Sequence, residues 1–281
     1  MRDDSIKHSH VARATIPPHP GIRAFGLVVL AVVAAWYLGI DPRALADGWP
    51  NLLRLAEDAF PPQMGVLPTA IRGLVETLAI AFLGTMIGVV LALPLALLAS
   101  RTLFPIWLVA PARLIAASVR TLPSLLWAVL MVILVGFGPL AGVLAMGLYT
   151  TGHLAKLAYE ALEGLPSDAF EALGAAGATR LQLARLVALP EASNQLLSHA
   201  LYMLEYNVRA SSIVGFVGAG GIGAYLSRYL QMMQYDGVVT LLGVVFVTVV
   251  VMDALSLWVR SRFITAYAPA QGRSARYRPS E

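Results

Sequence analysis

The sequence contains no cysteine, so disulfide staples, thiolate metal sites and cysteine nucleophiles are all excluded. Charge is nearly as scarce: Asp, Glu, Lys and Arg make up 13% of the residues, against about 25% in a soluble domain. With 58% hydrophobic residues and a mean hydropathy of +0.72, the chain lacks the polar surface that would keep it in water. Lysine occurs only at Lys7 and Lys156, neither after a glycine-rich loop, so there is no G-x-x-x-x-G-K-[ST] element to hold a nucleotide. H-E-x-x-H is missing too, and the five histidines fit no catalytic spacing; His8 and His10 fall in a solvated tail. The chain therefore reads as a non-enzyme with no cofactor or metal of its own. No repeat of 20–50 residues is visible, which weighs against an inverted-repeat secondary transporter.

What the chain does have is a series of apolar runs long enough to cross a bilayer. Six spans are expected, at 24–40, 72–99, 123–137, 139–158, 195–217 and 237–259. The N-terminus imitates a secretory signal, with Ala44-Leu45-Ala46 resembling a cleavage site, but its apolar run exceeds the usual length and further spans follow, so a retained first helix is expected. The apolar piece from Ile106 to Thr121 carries Arg113 and Arg120 and is broken by Pro111. Each arginine at a span centre would cost about 2.5–3.5 kcal/mol, so this piece is expected to lie at the interface. PNLLRLAEDAFPP is expected to form an amphipathic outer helix between Pro50 and Pro61. Outer segments then hold Arg43, Arg54, Arg72 and Arg228, Arg209 falls within a span, and every other Lys or Arg is inner. This asymmetry puts both termini and the 159–194 loop in the cytoplasm and explains the net charge of +4 without any nucleic-acid partner. The organisation is thus an N-terminal tail (1–23), an all-α transmembrane domain (24–262) and a basic C-terminal tail (263–281) expected to lie on the anionic inner leaflet.

The inner loop carries EALGAAGATRLQLARLVALP, from Glu171 to Pro190. Asp168 and Glu171 suit the positive end of a helix opened by Pro166 and Ser167. Small residues follow, and Gly177 is expected to end that helix as its left-handed cap. Thr179 and Gln182 have the spacing of a capping box that starts a second helix, and Pro190 is expected to stop it. The result is a slim helical hairpin, fit for a groove on another protein.

This stretch resembles the EAA loop of binding-protein-dependent ABC importers: Glu-Ala-Ala, three residues, Gly, nine residues, an aliphatic, one residue, Leu-Pro. Glu171, Ala172, Gly177, Val187, Leu189 and Pro190 occupy those positions, and Leu173 and Val187 are conservative departures. The block EYNVRASSIVGFVGAGGIG, Glu205 to Gly223, with PNLLRLAEDAFPP and RTLPSLLWAVL, is similar to phosphonate-transport permeases across about 48–262. Methionine permeases share the EAA loop and a VGAGG-type stretch, and permeases for phosphite or phosphate would look much the same. The resemblance implies a type I importer permease driven by a separate ATP-binding subunit that holds the ATP and Mg, with a periplasmic or lipid-anchored binding protein and a second permease as partners in the inner membrane.

Inside the spans, Glu76, Glu205, Arg209 and Asp253 are ionisable, and such groups face a bundle interior or a wet cavity. Glu205–Arg209 and Arg72–Glu76 have the i,i+4 spacing of ion pairs. Arg209, with Asn207, Ser211 and Ser212, could offer donors to a passing oxyanion, or could simply neutralise Glu205 and pin helices. Gly218, Gly220 and Gly223 spell G-x-G-x-x-G with Asp236 downstream, but the flanking spans leave no room for a dinucleotide fold. Instead Gly218, Gly220 and Gly221 are expected to let the backbone turn tightly at the outer end of the fifth span, closing the pore mouth. Two competitors remain. An ion-coupled transporter would use Glu76 and Asp253, and a membrane enzyme would use the glycine cluster; neither explains the spacing from Glu171 to Pro190.

Overall fold

The computed structural model describes residues 20–41 and 43–263. The basic C-terminal tail and His8 and His10 lie outside them. The described residues divide into two units after Leu55. In the first, α1 (Pro20–Tyr37) is apolar, with Leu27, Leu30, Val32 and Trp36 all exposed. Helix α2 (Arg43–Ala59) starts well ahead of the expected Pro50 boundary. The Asp41 carboxylate accepts the Arg43 N–H at 2.9 Å, which gives the helix its N-terminal partner, and Pro50 lies inside it, on the exposed surface.

The second unit is built on α3 (Leu67–Ala99) and α6 (Pro139–Glu163). The buried side of α3 is made of small residues, among them Ala81, Gly84, Thr85, Gly88 and Ala92, while Phe82, Leu83 and Val90 are exposed. This inverts the usual soluble pattern: small residues inside let backbones approach, and large apolar ones outside suit lipid. A Cβ on Gly84 would come within 2.5 Å of Met146 Cβ, and one on Gly147 within 3.0 Å of Ile87. Around the pair stand α4 (Ile106–Thr121), α5 (Ser124–Val135), α7 (Asp168–Ala175), α8 (Arg180–Leu183), α9 (Leu189–Val214), α10 (Ile222–Gln231) and α11 (Tyr235–Phe263). No strand occurs among the described residues.

Two helices, 64–99 and 235–262, are long and apolar enough to cross a bilayer unbroken. Two further segments qualify as bent pairs: 106–135, bent by 88°, and 180–231, bent by 42°. Helix α4, expected at the interface, packs against the bundle on one side. Val109, Ala112 and Ala116 are buried, and Ala116 shares a cluster with Ala92 of α3 and Leu154 and Ala155 of α6. Arg113 has protein partners. Its Nε donates to the Ala99 carbonyl at 2.9 Å, its Nη2 pairs with Glu163 at 2.5 Å, and its guanidinium sits 4.4 Å from the Tyr159 ring centre. The sharp bend follows from Pro123, which holds Leu122 in extended backbone (φ −92°, ψ 127°).

Candidate functional site

The hairpin forms as its sequence implies. Helix α7 carries Asp168 and Glu171 in its first turn. At its C-terminus Gly177 takes φ +84°, the Ala178 N–H donates to the Leu173 carbonyl at 3.1 Å, and the Gly177 N–H donates to the Gly174 carbonyl at 3.0 Å. These two bonds make a Schellman motif, which satisfies the last carbonyls without tertiary help. The capping box is complete: the Thr179 N–H donates to Gln182 Oε1 at 2.7 Å, and the Gln182 N–H to Thr179 Oγ1 at 3.4 Å.

Pro190 does not stop the second helix, contrary to the expectation. The backbone passes through one π turn, Ala184–Ala188, and continues as α9. The Leu189 N–H reaches back to the Ala184 carbonyl, and that wider turn makes room for the proline ring, which would otherwise strike the preceding turn. The hairpin is thus rigidly joined to a long bundle helix.

Its residues divide into a base and a rim. Phe170, Leu183, Val187 and Ala188 are buried together with Leu103 and Leu162. Glu171, Ala172, Gly174 to Gly177 and Pro190 are exposed, and Leu189 is half-buried. Val187 and Leu189 therefore seat the hairpin, while Glu171, Ala172 and Gly177 face outward. A cavity of about 550 Å³ opens beside the rim, with Thr102, Glu163, Phe170, Glu171 and Arg180 in its wall.

The residues expected along a pathway fare unevenly. Asn207 is fully buried and its Nδ2 donates to Thr85 Oγ1 at 2.9 Å and Thr150 Oγ1 at 2.8 Å, knitting α9 to α3 and α6. Ser211 is buried and donates to the Val208 carbonyl at 3.0 Å; Ser212 is half-buried. The Glu205–Arg209 pair is present at 2.7 Å, with Arg209 43% exposed. Asp253 and Arg260 of α11 approach it at 3.7 and 3.8 Å, so four charges tie α9 to α11.

The Arg72–Glu76 pair does not form. Glu76 Oε1 instead accepts the Gly221 N–H at 3.0 Å, and Thr77 Oγ1 accepts the Ile222 N–H at 2.8 Å, so α3 caps the first turn of α10. A backbone donor presented at a helix N-terminus outcompetes a solvent-exposed arginine for that carboxylate. Gly218, Gly220 and Gly221 all take positive φ, and the Gly138 N–H donates to the Gly218 carbonyl at 2.9 Å. The turn is a packed joint between α3, α6 and α9.

Residues 88–265 match the family described as the inner membrane component of binding-protein-dependent transport systems. This chain belongs to that family. The permease is 41% identical over 85% of its length, and 86% of the relative's, to the phosphite transport system permease protein PtxC of Stutzerimonas stutzeri. It is 33% identical, over 85% of its own length and 46% of the relative's, to the phosphate-import permease protein PhnE of Mycolicibacterium smegmatis. Its fold matches a chain of the MetNI methionine ABC transporter in an inward-facing form, with TM-score 0.64 and 29% identity, covering 74% of the permease and all of that chain. It is an all-α, multi-pass permease of the type I ABC importer kind.

Sequence reasoning missed the Arg113–Glu163 bracket and the ring cluster of Tyr149, His153 and Tyr206 beside Arg120. The i,i+4 spacing of Tyr149 and His153 was a local signal of one shared face. Nothing local points from Arg113 to a glutamate fifty residues away.

Proposed function

We propose that this permease is the membrane-spanning subunit of an ATP-driven importer for a phosphorus oxyanion: phosphonate, phosphite or phosphate. The observation that carries the substrate is its 41% identity to a phosphite permease along 85% of the chain. An external binding protein selects the ligand and delivers it. A separate ATPase holds ATP and Mg, and grips the exposed rim from Glu171 to Gly177; its closure moves α9 through the continuous helix that begins at Arg180. The small side chains of the rim favour a groove, and the acids of α7's first turn favour basic partner residues there. A second permease, identical or similar, completes the pathway, and the turn from Gly218 to Gly221 closes its outer end. Both termini and the hairpin are cytoplasmic. The permease does no covalent chemistry.

Two experiments test this reading. Glu171→Lys or Gly177→Trp abolishes co-purification with the ATPase and stops uptake of labelled phosphite while the permease still folds; retained co-purification in both variants refutes the docking surface. Because the chain has no cysteine of its own, Ala175→Cys gives a single reactive thiol. In cells that lack the ATPase subunit, a membrane-impermeant maleimide labels it in inside-out vesicles and not in intact cells, and the reverse pattern refutes the orientation.

A further inference from the structure

The bend between α4 and α5 holds an arginine that no acid among the described residues meets. Arg120 ends α4 and lies against α6 where Gly152 leaves room: a Cβ there would come within 2.9 Å of Arg120 Cγ. Trp127 fixes the bend by donating its Nε1–H to the Val119 carbonyl at 3.1 Å. Arg120 Nε is out of solvent without a hydrogen-bond partner, and among the described residues Arg120 forms no ion pair. Three other arginines of the bundle do meet acids: Arg113 has Glu163, and Arg209 and Arg260 share Glu205 and Asp253, although Arg260 Nε and Nη2 also lack hydrogen-bond partners.

Beside Gly152, on the same helix, is a set of polar rings. Tyr149 and His153 lie 4.2 Å apart on either side of Gly152 in the chain, and Tyr149 stacks on Tyr206 at 5.1 Å. His153 Nδ1 is engaged by the Tyr149 carbonyl at 3.1 Å, which leaves Nε2 free. Tyr202, one turn before Tyr206 on α9, is exposed. Tyr149 and His153 each stand ten residues from one end of α6. A guanidinium packed among helices without an acid is costly, and marks a face turned to water or to a passing ligand. Its planar donors match the oxygens of a phosphorus oxyanion, and neutral hydroxyls complete the set.

We propose that Arg120, with Tyr149, His153, Tyr202 and Tyr206, forms a transient binding point for the phosphorus oxyanion on its way through the bundle. The proposal rests on the oxyanion-import reading and adds the residues that recognise the anion within the membrane. They belong to the α4–α5 bend rather than to the neutralised Arg209 cluster.

The test is uptake of labelled phosphite, inorganic phosphate and methylphosphonate by the complete importer, in cells without other phosphorus uptake. Failure of the unaltered chain to carry any of the three removes the import reading itself. With uptake established, Arg120→Gln lowers the maximal rate by about tenfold or more, the loss of a charge-assisted hydrogen bond. ATPase co-purification persists, and uptake per ATP hydrolysed falls, which a merely structural role would not produce. An unchanged maximal rate overturns the proposal. If Arg120→Gln does not assemble, Tyr202→Phe decides: loss of one exposed hydroxyl lowers the rate by about threefold, and an unaltered rate overturns it. A phospholipid that purifies with the unaltered permease and is lost from Arg120→Gln, with uptake unchanged, assigns the site to lipid and overturns it as well.

Discussion

The hairpin and the turn from Gly215 to Gly223 are both rich in glycine and alanine, yet they use the residue for opposite reasons. At Gly177 an added Cβ would meet nothing within 4 Å; glycine is there for its φ of +84°. At Gly223 the backbone is helical and any Cβ would overlap the Ser212 carbonyl, while Cβ atoms on Gly220 and Gly221 would meet Glu76 Oε1 at 2.7 Å and Thr77 Oγ1 at 2.6 Å. The first region keeps its small residues exposed, as an open surface. The second buries them, as a joint already closed. Low side-chain bulk by itself therefore says nothing about which of the two a segment is.

The contrast can be broken by substitution. Gly223→Ala has the largest expected effect, about 3 kcal/mol, because the obstructing atom is backbone and cannot swing aside; a large fall in melting temperature and in monodisperse yield checks it. If Gly223→Ala is tolerated, the turn is a loose surface and the comparison fails. Asn207→Ala comes next, at about 2 kcal/mol for the lost links to Thr85 and Thr150. Its signature is a lower melting temperature with no change in ATPase co-purification. Gly177→Ala costs about 1 kcal/mol through its left-handed backbone alone, and the variant still binds the ATPase because no neighbour is displaced. Loss of binding with that small substitution would mean that the rim tolerates no bulk at all. Thr179→Ala is smallest, at about 1 kcal/mol or less. It appears as faster amide exchange at Gln182 while global melting stays in place.

The parts of this protein that were legible from sequence are those whose hydrogen bonds close within a few residues. The Schellman cap at Gly177, the Thr179–Gln182 box and the Glu205–Arg209 pair all satisfy that condition. Pro190 shows where a local rule overreaches: a π turn widens the backbone ahead of it, and the helix continues through the proline. Arg72 and Glu76 show a second limit. Their spacing allows an ion pair, but Glu76 is claimed by the Gly221 N–H, which is 145 residues away in the chain. Asn207 stands two residues before Arg209, and that rotation on a helix turns its side chain into the junction with α3 and α6, to Thr85 and Thr150 rather than to the charge cluster.

The sequence alone determined the solvent of this protein, its helical class, the hairpin and its caps, because composition and short-range periodicity act without knowledge of neighbours. Only the tertiary structure decided which charges are paired beyond one helical turn. It gave Arg113 to Glu163 and Glu76 to the glycine turn, and it left Arg120 without an acid beside tyrosine and histidine rings. The reason is physical: a charge in a low-dielectric bundle is governed by whichever group packs within a few ångströms of it, and packing brings together residues that the chain keeps far apart.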